Sequence, residues 1–141
     1  MSTAEVAGVA IDTRHWIGGA RVGSDTTFVD ISPLDGTVIA HVARGGAAEA
    51  DAAVTAAAAA FPTWAATSPA DRSVILHRIA DGVEARLEEL AQVETADNGS
   101  LLRSHRRGVM PRVAMNFRFF ADHLLALSHP DFDTRGHRNH V

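Results

Sequence analysis

The sequence predicts an α+β fold, a small antiparallel β meander followed by three main helices. Between His15 and Ala43, short β-prone runs alternate with glycine- and proline-containing turns, the pattern of strands joined by hairpins. From residue 47 to 128 the apolar residues recur at steps of three and four, the period of helices with one covered side.

Residues 1 to 14 hold small, weakly patterned side chains and read as an N-terminal arm. Residues 15 to 43 form the meander. Trp16, Ile17 and Val22 bracket the turn Gly18-Gly19, Thr27 to Ile31 is a second run, and Thr37 to Val42 a third. Between the last two, Pro33 presets a turn and Gly36 accepts a positive φ. After Gly45-Gly46 the chain becomes alanine-rich, and Glu49 and Asp51 stand where a helix N-terminus favours acids. Phe61 and Trp64 are the large anchors of this first helix, and Pro62 is expected to end it nearby.

Ser68-Pro69-Ala70-Asp71 is a helix start, with Ser68 as cap, Pro69 in the first position and Asp71 returning a hydrogen bond. The second helix is expected to run to about Ala96 with Ile75, Ile79, Val83, Leu87 and Leu90 as its covered stripe, and Gly99 as its left-handed cap. Its acids, Asp81, Glu84, Glu88 and Glu89, read as a solvated face. The third helix begins or kinks at Pro111, which has no amide hydrogen. Val113, Phe117, Phe120, Leu124 and Leu127 form its core side. A second stripe of Gly108, Arg112, Asn116 and Phe119 mixes a gap, a charge, an amide and a ring, which suits the wall of a cavity. Residues 137 to 141 read as the start of a strand.

Composition narrows the function classes. The net charge is -4 with interspersed signs, which calls for neither nucleic acid nor a membrane surface as partner. No apolar run reaches membrane-spanning length, and Glu5, Asp12 and Arg14 interrupt any leader-like start, so a cytoplasmic protein is expected. There is no cysteine, hence no thiolate nucleophile and no thiolate metal ligand. His137 and His140, with His129 nearby, form the one metal candidate; they lack a third close ligand, a carboxylate partner and a rigid support, so no metal is expected. His77, His105 and His123 read as surface or boundary residues. Arg112 has two readings: it holds a ligand carboxylate bidentately, or it pairs with Asp97 or Glu94, and residue physics alone favours the pair.

HWIGG (15 to 19), TFVDISPLDGTVIAHVA (27 to 43), the long stretch from AAFPTW to ADNG (59 to 99) and MPRVAMNFRFFA (110 to 121) resemble the N-terminal part of NAD(P)-dependent aldehyde dehydrogenases. The sequence is most similar to the bacterial hydroxymuconic and carboxymethyl-hydroxymuconic semialdehyde dehydrogenases of aromatic degradation. The resemblance implies an α/β parent several times longer, with a Rossmann-like cofactor domain for NAD or NADP, that oxidises an aldehyde to an acid and forms a homo-oligomer. It also implies that the nucleophilic cysteine, the cofactor-holding lysine and the oxyanion asparagine follow residue 141, so that this chain holds no catalytic or cofactor-binding residue and is inactive alone. In relatives the helix matching NFRFFA lines the mouth of the substrate tunnel, and the positions matching Gly108, Arg112 and Phe119 face it. Two departures bear on this: Ser100-Leu101 replaces Lys-Pro after DNG, and Val109 stands where an acid often precedes the Pro-Arg pair. A second reading makes the chain a non-catalytic module whose apolar helix stripes dock on an intact relative or on a second copy.

Overall fold

The computed structural model describes residues 2–127 and 132–139. The chain begins with three antiparallel ribbons. Strands β1 (Thr3–Val6) and β2 (Val9–Asp12) pair with Val6 opposite Val9, around a turn in which Ala7 and Gly8 have φ of 50° and 79°. The segment expected to be a loose arm is therefore a hairpin. It is fastened by Thr13 N–H donating to Ser2 O and Ala43 N–H donating to Thr13 O, each at 3.0 Å. Val6, only 7% exposed, plugs it onto the neighbouring ribbon. Its turn uses alanine at a left-handed position where Asn or Asp is usual, so no hairpin signal stands in the sequence.

Strands β3 (His15–Ile17) and β4 (Ala20–Val22) flank the Gly18-Gly19 turn, and β5 (Thr27–Ile31) pairs with β6 (Val38–Ala43) through a register shift at Asp30 and Ile31. Each ribbon is a separate two-stranded sheet rather than part of one meander. The Ser32 to Thr37 turn is closed by Ser32 N–H to Thr37 O at 2.8 Å, and the Asp35 carboxylate accepts from both the N–H and the hydroxyl of Thr37.

Helix α1 (Ala47–Ala66) starts where Gly46 N–H donates to the Glu49 carboxylate at 2.7 Å. It runs four residues beyond Pro62 and stops where Arg72 donates to the carbonyls of Trp64 and Ala65, at 3.0 and 2.9 Å, with its guanidinium over the Trp64 ring. Helix α2 (Pro69–Ala85) is capped by Ser68, whose Oγ accepts from Asp71 N–H at 3.1 Å. The long second helix expected from the period is broken at Arg86, which leaves helical geometry at φ −115° and ψ 21°. Glu88 and Glu89 then lie in the first turn of a new helix, α3 (Leu87–Asn98), where the helix dipole favours acids. Gly99 closes α3 at φ 74°.

A short helix, α4 (Leu102–Ser104), leads through a π turn (His105–Val109) into α5 (Met110–Ala126). The largest contact between elements is that of α2 with α5. Its buried residues are small: Ser73 and Ala80 on α2, and Ala114 and Ala121 on α5, with Met110 at the entrance. The expected core stripes are met in part, with Val83, Leu87, Leu90, Val113, Phe117 and Leu124 half-buried. Ile75, Ile79 and Phe120 are at least 37% exposed, because short side chains let the helix backbones approach and the larger ones are turned outward. After residue 131, β7 (Phe132–Thr134) and β8 (His137–Asn139) form a fourth hairpin across Arg135 and Gly136. It includes the strand expected from residue 137; His140 and Val141 lie outside the described residues.

The acids expected to be merely solvated tie helices together. Arg118 of α5 bridges Asp81 at 2.8 Å and Glu84 at 2.5 Å on α2. Arg106 in the π turn holds Glu88 of α3, its Nε donating at 2.7 Å to Oε2, and His77 of α2 meets Asp122 of α5 at 2.9 Å.

Two predictions follow from this packing. An added Cβ at Gly99 would stand 2.9 Å from Pro33 Cγ. The substitution Gly99→Ala is expected to lower unfolding free energy by at least about 1–2 kcal/mol, the cost of a left-handed non-glycine residue, in chemical denaturation. The Glu88 carboxyl is held down to about 2 by the hydrogen bonds from Arg106, helped by Gln92. Because its folded value is depressed, its stabilisation is present above the ordinary 4.5 and is lost as pH falls from there toward about 2. Carboxyl NMR titration should show that midpoint, and Arg106→Gln should return it toward 4.5; an unmoved midpoint excludes Arg106 as the cause.

Candidate functional site

The π turn and the first half of α5 border an open groove of about 650 Å³, lined by Ser104, Arg107, Gly108, Val109, Arg112, Val113 and Asn116. The local sequence explains its shape. Pro111 has no N–H and its ring crowds the carbonyl of the preceding turn. The backbone accommodates this by inserting one residue: Met110 N–H bonds His105 O, five residues back. Ser104, Gly108, Arg112 and Asn116, spaced by four, are thereby kept on one side. Gly108 contributes space, since nothing lies within 4 Å of where its Cβ would be.

Gly108 and Arg112, expected on a cavity wall, both line the groove, and Phe119 does not. Phe119 lies further along α5, 60% exposed, edge-on to Phe120 at 5.2 Å and stacked on His123 at 5.8 Å. The pairing of Arg112 with Asp97 or Glu94 is not what the fold makes. Glu94 accepts from Asn98 at 2.9 Å, Asp97 faces Asp30, and Arg112 makes no ion pair among the described residues. Its guanidinium is thus open to a ligand, with five donors in a fork that matches a carboxylate. Ser104 extends the four-residue step one turn back from Gly108, and Arg107 joins the lining although it falls off that step.

His105, expected as a surface or boundary residue, is 3% exposed, and neither ring nitrogen has a hydrogen-bond partner. The π turn rotates it beneath the helix that carries the groove. A second cavity, of about 260 Å³, lies under β2, β5 and β6 against α3. Burial, and then the facing Asp97 carboxyl, push the Asp30 carboxyl up.

The remaining candidates resolve differently. His129 and His140 lie outside the described residues, and among the described residues no three His, Asp or Glu side chains gather as a metal site. No described helix is long and apolar enough to cross a membrane. Gly18-Gly19 is a hairpin turn, and the Gly46 N–H at the start of α1 is taken by the Glu49 carboxylate.

Comparison with known proteins gives this geometry its context. Residues 21–141 match the aldehyde dehydrogenase family. The chain is 46% identical over 112 residues to 2-aminomuconic semialdehyde dehydrogenase of Danio rerio, covering 79% of this chain and 23% of that protein. It is 47% identical over 116 residues to 2-hydroxymuconic semialdehyde dehydrogenase of Pseudomonas sp. strain CF600, covering 79% and 24%. The crystal structure of PnpE in complex with nicotinamide adenine dinucleotide superposes with a TM-score of 0.86 at 34% identity, over 92% of this chain and 27% of PnpE. The chain spans about a quarter of the length of the relatives it matches. With the match extending over most of its residues and the same backbone in solved members, the chain belongs to the aldehyde dehydrogenase family.

Proposed function

We propose that these residues form the N-terminal part of a bacterial, cytoplasmic, NAD(P)-dependent and homo-oligomeric aldehyde dehydrogenase that oxidises an acidic semialdehyde to a carboxylic acid. In this reading, residues outside this chain supply the cysteine nucleophile and a Rossmann-like cofactor domain, and the 141 residues alone turn over no aldehyde. Gly108 opens the mouth of the substrate tunnel, Arg112 holds the carboxylate of the entering substrate, and Phe119 borders the approach. The observation that carries the proposal is the unpaired Arg112 on a groove whose lining contains no acid. Its support is the similarity to enzymes named for muconic semialdehydes, molecules with a carboxylate at one end and an aldehyde at the other.

A chimaera tests this, with residues 1–141 fused to the remainder of the Pseudomonas 2-hydroxymuconic semialdehyde dehydrogenase. NADH formation is expected from the chimaera and not from the isolated chain. A charge-assisted hydrogen-bonded pair is worth about 1.5–3 kcal/mol, so Arg112→Gln should lower kcat/KM about 10- to 150-fold for an acidic semialdehyde. It should leave benzaldehyde nearly unaffected; an equal loss on both substrates would remove Arg112 from carboxylate binding.

The second reading, a non-catalytic docking module, is favoured by α1, which has no buried residue and exposes Val54 at 69%, Phe61 at 64% and Trp64 at 43%. Size-exclusion chromatography of the chain with and without an intact relative separates the readings. A module elutes in complex or as a dimer, whereas a migration unchanged from 15.0 kDa rejects it.

A further inference from the structure

Arg112 is not the only guanidinium on the groove. Arg107 lines it as well, and among the described residues Arg107, like Arg112, makes no ion pair. The adjacent arginine, Arg106, points the other way and is committed to Glu88 on α3. In a regular α-helix, residues five apart are separated by about 140° around the axis and would not serve one cavity. Here the π turn changes that, because its hydrogen bond spans five residues, from Met110 N–H to His105 O. The inserted residue brings Arg107 toward the side that Arg112 occupies, and both then border the same 650 Å³ space.

The rest of the lining is neutral: a hydroxyl from Ser104, an amide from Asn116, two valines and the open position of Gly108. Two like charges on one cavity wall repel one another, and no protein carboxylate on that wall compensates them. A ligand with one carboxylate neutralises one guanidinium and leaves its neighbour unmatched as the site is desolvated. A ligand with two carboxylates matches both, each through a paired fork of N–H donors.

We propose that Arg107 is a second anion-holding residue of this groove and that, with Arg112, it makes the site select dicarboxylate semialdehydes over monocarboxylate ones. This rests on the reading of Arg112 as a carboxylate-binding residue and extends it to the number of charges on the substrate. The π turn becomes a specificity device, since an uninterrupted α-helix through the same residues would present one arginine to the groove instead of two.

The test uses the 141-residue chain, isotopically labelled, titrated by NMR with cis,cis-muconate and with sorbate. These probes share a six-carbon diene and differ in carrying two carboxylates or one. The wild-type chain is expected to bind muconate about tenfold or more tighter than sorbate, the increment of one further charged hydrogen-bonded pair. Arg107→Gln should abolish the difference while leaving sorbate affinity within about twofold, and Arg107→Lys should restore part of it, because the point charge remains and the fork is lost. Arg112→Gln should weaken both ligands. An unchanged muconate-to-sorbate ratio in the Arg107→Gln chain, with its amide spectrum otherwise intact, overturns the role of Arg107 and leaves that of Arg112 standing. Unaltered affinities in the Arg112→Gln chain overturn the underlying reading. Failure of the wild-type chain to bind either anion overturns both.

Discussion

The close approach of α2 and α5 is the constraint on which the rest of the structure depends. Ser73 and Ala80 on one helix and Ala114 and Ala121 on the other are all but removed from solvent, and among the described residues no large side chain is fully buried. Packing of this kind gains little from any one residue and much from shape, through many short contacts between backbones and methyl groups. Its consequence is rotational: once the small residues face inward, the positions of all others on α5 are set. Arg118 is delivered to Asp81 and Glu84, and Arg112 and Asn116 are delivered to the groove. These exposed ion pairs, individually weak, act as register marks for a contact that small side chains leave free to slide.

Pro111 imposes the second constraint. A helix passing directly through it would lose a hydrogen bond and clash with the preceding turn, and the π turn absorbs both costs in five residues. The same adjustment buries His105 without a polar partner, which is unfavourable in itself. The Arg106–Glu88 tie and the buried Met110 hold the turn in place on either side of that imidazole. An inserted residue and an unmatched buried group therefore coincide with the wall of the groove, where the π turn changes which side chains point outward.

The α+β class, the start of α2, the end of α3 and the start of α5 were legible in the sequence because those signals are local. Ser68-Pro69, Gly99 and Pro111 act through backbone chemistry within a turn of where they stand, and the structure uses each of them. The cavity stripe was legible in part: Gly108, Arg112 and Asn116 fall on one side at steps of four, whereas Phe119 breaks that step and turns elsewhere. What was not legible had nonlocal causes. Alanine reads as neutral in any periodicity, so the true contact of α2 and α5 was hidden behind larger residues at neighbouring positions. The first hairpin is built around alanine at a left-handed turn position, and the break at Arg86 has no glycine or proline to announce it. Arg107 could have been found only by allowing for an inserted residue before Pro111.

Large apolar side chains remain exposed on three of these helices. Phe61 and Trp64 on α1, Ile75 and Ile79 on α2, and Met115, Phe119 and Phe120 on α5 are 37% to 64% exposed. Burying what remains exposed would contribute roughly half of the about 1.5–3 kcal/mol of a full burial for each, comparable in sum to the whole stability of a small domain. In this conformation these side chains remain partly in water, and the groove on α5 is open. A covering surface would do two things at once. It would bury the apolar faces, and it would exclude water from Arg107 and Arg112, where lower effective dielectric strengthens the attraction of a guanidinium for a carboxylate and raises the cost of leaving one unmatched. The discrimination available to this groove is therefore coupled to whatever packs on α5, so that a contact burying Met115 and Phe119 beside it would sharpen its choice of anion.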